Sequence, residues 1–314
     1  MSAAARDIPD LAIVGAGPAG MTAALAARGA GLAVELIESA VEPGGQLRRI
    51  YGRVRGVPGD GPEASAPHRD GATLALALSA RLASAGLAPR TGTSASGLVP
   101  DPHRPAITLA GGVPLAARAV LIASGLRPRT LGVPGEGLDG VSTSATRDRA
   151  LFAGQPVVVA GGGDAAYENA LLLAEAGCRV TLVVRGEPRA RSEFRRRVAD
   201  TDAITVLART RVVEIVGPGR VTGVRVAGPA GEVPIEARGV FVKVGSLPNT
   251  EWCRLGVACD EEGYVRVDGR GATSAPGCWA AGDVIRPAAL TLEEAAASAT
   301  RAAAAITETL ARGA

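Results

Sequence analysis

A strand, a glycine turn, a helix and a second strand occupy residues 11–38, and this stretch constrains the fold more than any other. Its sequence is LAIVGAGPAGMTAALAARGAGLAVELIE. In the pattern GxGxxG, Gly15 allows the tight turn, Gly17 lets the backbone approach a pyrophosphate, and Gly20 lets the helix pack against the strand. The phosphates of a dinucleotide would bind the free amides at the helix N-terminus, where the helix dipole favours negative charge.

An acidic residue ends this unit. Glu38 follows Gly20 at the spacing expected of the carboxylate that accepts hydrogen bonds from a ribose diol. An acid at this position favours an adenosine ribose without a 2′-phosphate, as in FAD or NAD. Glycine turns join strands to helices in many proteins, but here the strand, turn, helix, second strand and acid all agree. The stretch therefore predicts nucleotide binding.

The same plan returns in the second half of the chain. An apolar run at residues 157–160 leads into GGGDAA, which has the form GxGxxA, and a helix and a second strand follow. Two nucleotide folds imply two nucleotides, and a redox enzyme is the simplest reason for one chain to bind both. The fold class we expect is α/β, with two Rossmann-like dinucleotide-binding domains in three-layer ββα form.

The second fold differs from the first at the end of its second strand. Val184 stands where the first fold has Glu38, and Arg185 follows at once, with Arg189 and Arg191 just beyond. Without the acid a ribose 2′-hydroxyl loses its acceptor, whereas an arginine cluster suits a 2′-phosphate. We therefore favour NADP over NAD. A solvated basic loop is the alternative, because the charge run continues through residues 195–197.

Composition excludes several other classes of function. The chain has 314 residues, enough for about two domains, and its net charge of +3 is too small to indicate nucleic-acid binding. It shows neither a secretory signal core nor a bilayer-spanning run, so we expect a cytoplasmic protein without membrane partners.

Its cysteines form no CxxC and have no partners at metal-ligand spacing, so we expect no metal and four structural thiols: Cys178, Cys253, Cys259 and Cys278.

The C-terminal part carries a further strand and a capped helix. Residues 277–283, GCWAAGD, form an apolar run that ends at Gly282 and Asp283. Thr291 and Glu294 have the spacing of a capping box, which predicts a helix from Leu292. Either the helix N-terminus points at a flavin and stabilises negative charge on the reduced ring, or the helix is an ordinary capped one.

Together these motifs resemble the low-molecular-weight thioredoxin reductases and related two-dinucleotide flavoproteins. The resemblance covers nearly the whole chain and rests on GAGPAG with its acid, EPGGQL, VPG, IASG, GGGDAAYENA, KVGSLPNT and AAGD. It implies a discontinuous FAD domain, about 1–125 and 246–314, with a nicotinamide domain, 126–245, inserted between its halves. It also implies a homodimer.

The resemblance further implies which residues hold each cofactor. In the family the first glycine turn and the acid hold the FAD adenosine and pyrophosphate, Gln46 lies near the flavin, and Asp283 holds the ribityl and phosphate side. The expected FAD-binding residues are Gly15, Gly17, Pro18, Ala19, Gly20, Glu38, Ser39, Gly45, Gln46, Leu47, Ser124, Gly125, Gly282 and Asp283. The expected NADP-binding residues are Gly161, Gly163, Asp164, Ala165, Arg185, Arg189 and Gly245.

The chain departs from the family at the redox disulphide. Members that reduce thioredoxin carry a CxxC in a segment like VSACATCD, and the matching segment here is VSTSATRD, with Ser144 and Arg147 in place of the cysteines. The start of the last helix also differs, with Leu292 and Glu293 where the family has Arg-Gln. We therefore expect an FAD-dependent NAD(P)H oxidoreductase whose flavin passes electrons directly to an acceptor. No catalytic residue is identified from the sequence.

The acceptor is left open between two kinds. One is a protein carrier, ferredoxin or flavodoxin, as in the ferredoxin NADP reductases of thioredoxin-reductase type; the other is a small molecule, as in tailoring flavoenzymes of this fold. The acceptor could dock at residues 51–67 or 144–147, Tyr51 could stack on the flavin, and His68 or His103 could donate a proton. Two rival interpretations are a non-catalytic nucleotide-binding protein and an interaction subunit whose partner supplies the thiols.

Overall fold

The computed structural model describes residues 8–51 and 70–312. The chain divides into two compact units, of which one combines Met1–Arg127 with Leu247–Ala314 and the other is Pro128–Ser246. The divisions thus fall after Arg127 and after Ser246, slightly later in the chain than the expected domain limits.

The first segment of the chain builds most of the first unit. Its elements are β1 (Leu11–Val14), α1 (Pro18–Gly29), β2 (Val34–Ile37), a 3₁₀ helix (Gly45–Arg49), α2 (Gly71–Ser84), β3 (Ala95–Val99), β4 (Ala106–Leu109), β5 (Pro114–Ala116), β6 (Ala119–Ile122) and the connecting strand β7 (Leu126–Pro128).

The middle segment forms the second unit, and the chain then returns to the first. The elements of the middle segment are β8 (Val141–Ser142), α3 (Ala145–Asp148), a 3₁₀ helix (Arg149–Phe152), β9 (Pro156–Ala160), α4 (Asp164–Glu175), β10 (Arg179–Val183), α5 (Ser192–Ala199), β11 (Ile204–Leu207), β12 (Arg211–Val216), β13 (Gly223–Gly228), β14 (Gly231–Glu236) and β15 (Gly239–Val242). The last segment contains β16 (Ser246–Pro248), β17 (Cys278–Ala280), a 3₁₀ helix (Gly282–Ile285) and α6 (Leu292–Arg312).

The core of the first unit is a parallel sheet in the order β17-β6-β1-β2. Because both faces are covered, β1 is apolar at every position and fully buried. Leu11 and Ile13 face a helical layer that includes α1, α2 and α6. Ala12 and Val14 face the other layer, in which Ile107 belongs to the antiparallel sheet β3-β4-β5.

The second unit repeats this three-layer arrangement. Its parallel sheet has the order β11-β10-β9-β15-β8. Val157 and Val159 of β9 pack against the helical layer that contains α4, while Val158 packs against the antiparallel sheet β12-β13-β14. Successive side chains of β9 thus pack against opposite layers, as the alternation along a strand requires. The predicted fold class, with two Rossmann-like three-layer units, is confirmed.

The structure also differs from the sequence-based expectations in places. The basic run after Arg191 contains a helix, α5, where the basic-loop alternative expects none. Val198 of this short helix is buried, and Phe194, four positions earlier, packs against the same helical layer. Helix α6 begins at Leu292 as predicted, and Thr291 Oγ accepts from the Glu294 amide at 3.2 Å. The capping box is only half formed, because the Glu294 carboxylate accepts from Arg301 instead.

All four cysteines are free thiols. Cys178, Cys253 and Cys278 are buried and Cys259 is half-buried. Burial raises the pKa of Cys253 and that of Cys278 to about 12, so both remain protonated at neutral pH. Within residues 8–51 and 70–312, no helix is long and apolar enough to cross a bilayer, and no acidic, histidine and cysteine side chains gather into a site for a metal ion.

We predict that Gly20→Ala lowers the free energy of unfolding by about 3 kcal/mol, because its Cβ would overlap the carbonyl oxygen of Gly15. The matched control is Gly29→Ala in the same helix, where a Cβ would meet nothing within 4 Å. The control should leave stability unchanged or raise it by about 0.5 kcal/mol through helix propensity. Chemical denaturation of the two variants measures the difference, and equal stabilities would contradict the packing argument.

Candidate functional site

The first glycine turn, residues 15–20, joins β1 to α1 through two close backbone contacts. Gly15 has φ +107°, and a Cβ there would overlap the carbonyl oxygen of Ala123 at the end of β6. A Cβ on Gly20 would overlap the carbonyl oxygen of Gly15 itself. These two glycines are therefore required by the turn whether or not a ligand is present, and they hold the start of α1 against the sheet.

Gly17 is different, because the structure itself does not require a glycine there. Its φ is −79°, and the only atom that a Cβ would meet within 4 Å is the Cα of Gly45, at 3.9 Å. The space beyond Gly17 is thus free of side chains, and no side chain of the described residues caps the start of α1. Pro18 carries no amide proton, so the amides of Ala19 and Gly20 begin the helix. This arrangement fits the pyrophosphate of a dinucleotide.

Glu38 connects the first turn to the segment that follows β2. Its carboxylate is buried, and it accepts from the amide of Ala16 at 2.8 Å and from that of Ala40 at 2.8 Å. Ser39 donates its hydroxyl to the same carboxylate at 3.2 Å. Two carboxylate oxygens have about four acceptor positions, so capacity remains for a ribose hydroxyl. Glu38 therefore braces the turn and can also hold a ribose.

A second part of the first unit lies against this turn. A Cβ on Gly282, which has φ +80°, would lie 2.6 Å from Ala19 Cβ, so the 3₁₀ segment after β17 packs on the start of α1. In that segment Asp283 Oδ2 accepts from Gln46 Nε2 at 3.1 Å. Burial raises the pKa of Asp283, and the hydrogen bond from Gln46 partly opposes the rise. A half-buried carboxyl beside an open helix N-terminus is suited to a ligand rich in hydroxyls and phosphates.

Other expected FAD-binding residues have structural contacts of their own. Leu47 is buried, with 2% exposure, so its side chain belongs to the core and only its backbone can face a ligand. Ser124 donates to the carbonyl of Asn249 at 2.7 Å, and Asn249 donates back to the carbonyl of Ser124 at 2.8 Å. Gly125, with φ +64°, accepts from the Asn249 amide. These contacts place both residues at the end of β6, on the same sheet edge as the first glycine turn.

The second glycine turn, residues 161–166, follows β9 with the same geometry. Gly161 has φ +148°, and a Cβ there would overlap the carbonyl oxygen of Lys243. A Cβ on Gly163 would meet nothing within 4 Å, and α4 starts at Asp164 without a side-chain cap from the described residues. Ala165, in the first turn of α4, is exposed. The open N-terminus again fits a pyrophosphate.

The loop after β10 is folded back onto the second glycine turn. The amides of Arg189 and Ala190 both donate to the carbonyl of Gly162, at 2.7 and 3.0 Å. Asp164 accepts from the amide and the Nε of Arg191, each at 2.7 Å, and the backbone bond is the main reason why the pKa of Asp164 is lowered. Arg191 and Asp164 thus hold the loop in place.

The remaining arginines of that loop are free for a ligand. The side chains of Arg185 and Arg189 are exposed, and within the described residues neither forms an ion pair. Val184 is buried at 2% exposure, so the position that carries the acid in the first unit contributes only to the core here. The pairing of Arg191 reduces the expected arginine cluster to two members, which are still enough to bind a phosphate.

The segment that replaces the family's CxxC is a small structural network. Ser144 accepts from the Arg147 amide at 3.4 Å and so caps α3. Arg147 donates twice to Asp148, with both distances 2.6 Å, and Ser142 donates to the same carboxylate at 2.6 Å. Hydrogen bonding from Arg147 lowers the pKa of Asp148. The side chains at the two cysteine positions therefore stabilise the turn and carry no redox group.

One polar residue of this region was not selected from the sequence. Lys243 follows β15, is half-buried, and donates its Nζ to the carbonyl of Thr143 at 2.8 Å. Burial lowers its pKa, and the nearby charge of Glu168 partly opposes this effect. Nothing in its spacing marked it, although it is the only lysine of the chain. Gly245, two residues later, has φ +96°, and a Cβ there would meet no atom within 4 Å.

The proposed acceptor positions are only partly covered by the structure. His103 is exposed in a loop, as expected of a solvated histidine. Tyr51 is 41% exposed. Residues 52–67 of the expected docking loop, the VPG motif and His68 lie outside the described residues.

We predict that Asp283→Asn stabilises the FAD-free protein at neutral pH. A raised pKa in the folded state means that folding disfavours the ionised carboxyl, and asparagine removes this cost. The stability gap is the difference in the free energy of unfolding between the variant and the unmodified protein. It should narrow as the pH falls through the raised pKa of Asp283 and vanish below the ordinary pKa of aspartate. Thermal melting across this pH range measures the gap. Asp164→Asn is the control of opposite sign, since the pKa of Asp164 is lowered and the variant should be the less stable one at neutral pH.

We also predict separate losses from two matched glycine variants. Gly17→Val should fold, because its Cβ enters open space, but should purify without flavin colour because the valine fills the approach of the pyrophosphate. Gly163→Val should purify yellow, yet NADPH should not bleach its flavin under anaerobic conditions. Absorption spectra before and after NADPH addition test both variants. A yellow Gly17→Val protein would contradict the position assigned to the flavin nucleotide.

Known proteins share both the sequence and the fold of this chain. Residues 9–305 match the family described as pyridine nucleotide-disulphide oxidoreductase. Thioredoxin reductase of Mycolicibacterium smegmatis is 36% identical over 293 residues, which is 89% of each chain. A component of the alkyl hydroperoxide reductase of Pseudomonas putida is 32% identical over 89% of this chain, which spans only 54% of that protein.

The solved structures agree with the sequence matches. A crystal structure of thioredoxin reductase from Lactococcus lactis superposes with a TM-score of 0.81 at 27% identity, covering 97% of this chain and 99% of that one. That coverage includes residues of both units. The chain therefore belongs to the pyridine nucleotide-disulphide oxidoreductase family and is an FAD-dependent NAD(P)H oxidoreductase with a thioredoxin-reductase-like fold.

Proposed function

We propose that this enzyme passes electrons from NAD(P)H through FAD directly to an external acceptor, without a redox-active disulphide of its own. The observation that carries the proposal is the segment Val141–Ser142 with α3, where Ser144 caps the helix and Arg147 pairs with Asp148. A disulphide relay needs two thiols in that segment, and neither serine nor arginine can be oxidised and reduced in this way.

Three of the four cysteines of the chain support this proposal. Cys178 is the cysteine of the second unit; it is buried, and its thiol donates to the carbonyl of Phe152 at 3.1 Å. Burial raises its pKa, which disfavours the thiolate that disulphide exchange requires. Cys253 and Cys278 are buried in the first unit with pKa values of about 12. None of these thiols is suited to relay electrons.

The side chains of each unit have separate tasks in this reaction. When bound, FAD supplies the chemistry that accepts a hydride and releases electrons to the acceptor. The first glycine turn, with Glu38, Gln46 and Asp283, would bind and orient the flavin nucleotide. The second glycine turn would hold the pyrophosphate of NAD(P)H, and Arg185 with Arg189 would select the 2′-phosphate. The Asp164–Arg191 pair keeps the arginine loop next to that turn.

The acceptor is a protein carrier such as ferredoxin or flavodoxin, or a small molecule, and these two kinds lead to different assays. The homologous thioredoxin reductases act on thioredoxin, which requires the thiol pair that VSTSATRD lacks. A homodimer, cytoplasmic localisation and the assigned cofactor residues are predictions of the same proposal. Anaerobically reduced enzyme should be mixed with ferredoxin, flavodoxin, quinones, small disulphides and oxygen to find which one reoxidises it.

The number of electrons that the protein takes up per flavin tests this proposal. Reductive titration of the FAD-loaded protein should take up two electrons per flavin, because only the flavin is reducible, whereas an enzyme with flavin and disulphide takes up four. Cys178→Ser is the matched control and should leave the uptake unchanged. NADPH should bleach the flavin, and thioredoxin should not reoxidise it.

Three outcomes would contradict the proposal. An uptake of four electrons per flavin would reveal a reducible thiol pair, and turnover with thioredoxin would show that such a pair operates. A flavin that dithionite reduces but neither NADPH nor NADH does would favour the non-catalytic alternative.

A further inference from the structure

Lys243 lies at the edge of the second sheet where ligands bind in folds of this type. Its amide donates to the carbonyl of Ala160 at the end of β9, at 2.8 Å, and its own carbonyl lies against Gly161. Its side chain reaches Thr143, directly after β8. Lys243 thus stands at the carboxyl ends of three neighbouring strands, beside the second glycine turn. The crevice outside the carboxyl ends of parallel strands is the usual ligand position.

The strand order shows which half of a dinucleotide lies next to Lys243. The order β11-β10-β9-β15-β8 reverses direction between β9 and β15, which is the switch point where dinucleotides lie across the sheet. The glycine turn after β9 takes the pyrophosphate, and the loop after β10, with Arg185, takes the adenosine ribose. The other half of the molecule must extend the opposite way, over the ends of β15 and β8. This other half is the nicotinamide nucleotide.

The ammonium of Lys243 has donors to spare on that side. An ammonium carries three protons, and among the described residues only the Thr143 carbonyl accepts one. Glu168 of α4 acts on it through charge, at a distance too long for an ion pair. The hydrogen bond from Lys243 to Thr143 is exposed, so the remaining protons of the ammonium can reach an acceptor that lies in the crevice.

We propose that Lys243 is a binding residue for the nicotinamide half of NAD(P)H, donating to oxygen acceptors of its ribose or carboxamide. The inference rests on the proposed use of the second glycine turn for NAD(P)H. It follows from the strand order and from the position of the ammonium between that turn and Thr143.

The charge of Lys243 also sets a preference between the two redox forms. The oxidised nicotinamide ring carries a positive charge and the reduced ring is neutral, so a nearby ammonium repels the oxidised form. Lys243 therefore favours binding of the reduced cofactor over its product. This preference helps NADP⁺ to leave after hydride transfer. Apart from lysine, only arginine combines a long hydrogen-bond donor with a full positive charge.

Binding measurements on the FAD-loaded protein test the proposal without relying on activity. The ligands are tetrahydro-NADP, whose ring is neutral and cannot donate a hydride, NADP⁺, and adenosine 2′,5′-bisphosphate, which lacks the nicotinamide half. Lys243→Met, which keeps the apolar stem, should weaken tetrahydro-NADP about tenfold, the value of a charge-assisted hydrogen bond. It should weaken NADP⁺ less and leave the bisphosphate within about twofold. Lys243→Arg should restore most of the affinity for tetrahydro-NADP.

Arg185→Ala is the contrasting control, because it should weaken all three ligands to a similar extent through the shared 2′-phosphate. Unchanged binding of tetrahydro-NADP to Lys243→Met would overturn the inference. An equal loss for the bisphosphate would also overturn it, since that result indicates local collapse. If the unmodified protein binds none of the three ligands, the proposed NAD(P)H function itself fails, which distinguishes the two failures.

Because Lys243 is the only lysine, chemical labelling provides an independent check. An amine reagent at low excess should label Lys243 and the N-terminal amine, and peptide mass spectrometry separates these two sites. Tetrahydro-NADP should protect Lys243, whereas adenosine 2′,5′-bisphosphate should not. Equal labelling with and without saturating tetrahydro-NADP would contradict contact between the lysine and the nicotinamide half.

Discussion

The structure depends on the close approach of a helix N-terminus to the end of a buried parallel strand. In the first unit this approach brings Gly20 onto the carbonyl of Gly15, with no room for a side chain between them. In the second unit Gly161 lies against the carbonyl of Lys243, which is the counterpart of the contact between Gly15 and Ala123 in the first unit. Because the helix starts so near the sheet, its unpaired amides face the crevice outside the strand ends, and a phosphate can satisfy them there.

The two units use one architecture for two different ligands, and the difference lies in a few side chains. Glu38 is buried, braces the first turn through the amides of Ala16 and Ala40, and retains capacity for a ribose. The second unit has the buried Val184 at that place and presents the exposed Arg185 instead. A buried carboxylate has thus been replaced by a buried valine followed by an exposed arginine, while the layers beneath remain the same. In the proposed assignment of cofactors, specificity resides in the loops, and the strands hold those loops in position.

Much of this arrangement could be predicted from the order of the residues, because its signals are local. The apolar strands, both glycine turns, the acid after β2 and the start of α6 at Leu292 each depend on neighbours within a few positions. Helix α5 was missed because its two large apolar residues, Phe194 and Val198, stand at helical spacing inside a basic run of only eight residues. The prediction of a full capping box was wrong because the Glu294 carboxylate accepts from Arg301, seven residues away, and not from the start of its own helix. A short sequence motif does not show that a residue outside it will compete for one of its side chains.

The linear sequence established the fold class, the two glycine turns and the absence of a CxxC, since backbone conformation at glycine and the chemistry of a missing thiol are properties of the residues themselves. The folded chain alone shows that Arg191 pairs with Asp164, that Arg147 pairs with Asp148, and that Lys243 lies at the switch point beside Thr143. The last of these contacts joins residues that are 100 positions apart. Such a distance closes only when parallel strands from separate parts of the chain end at the same edge of one sheet.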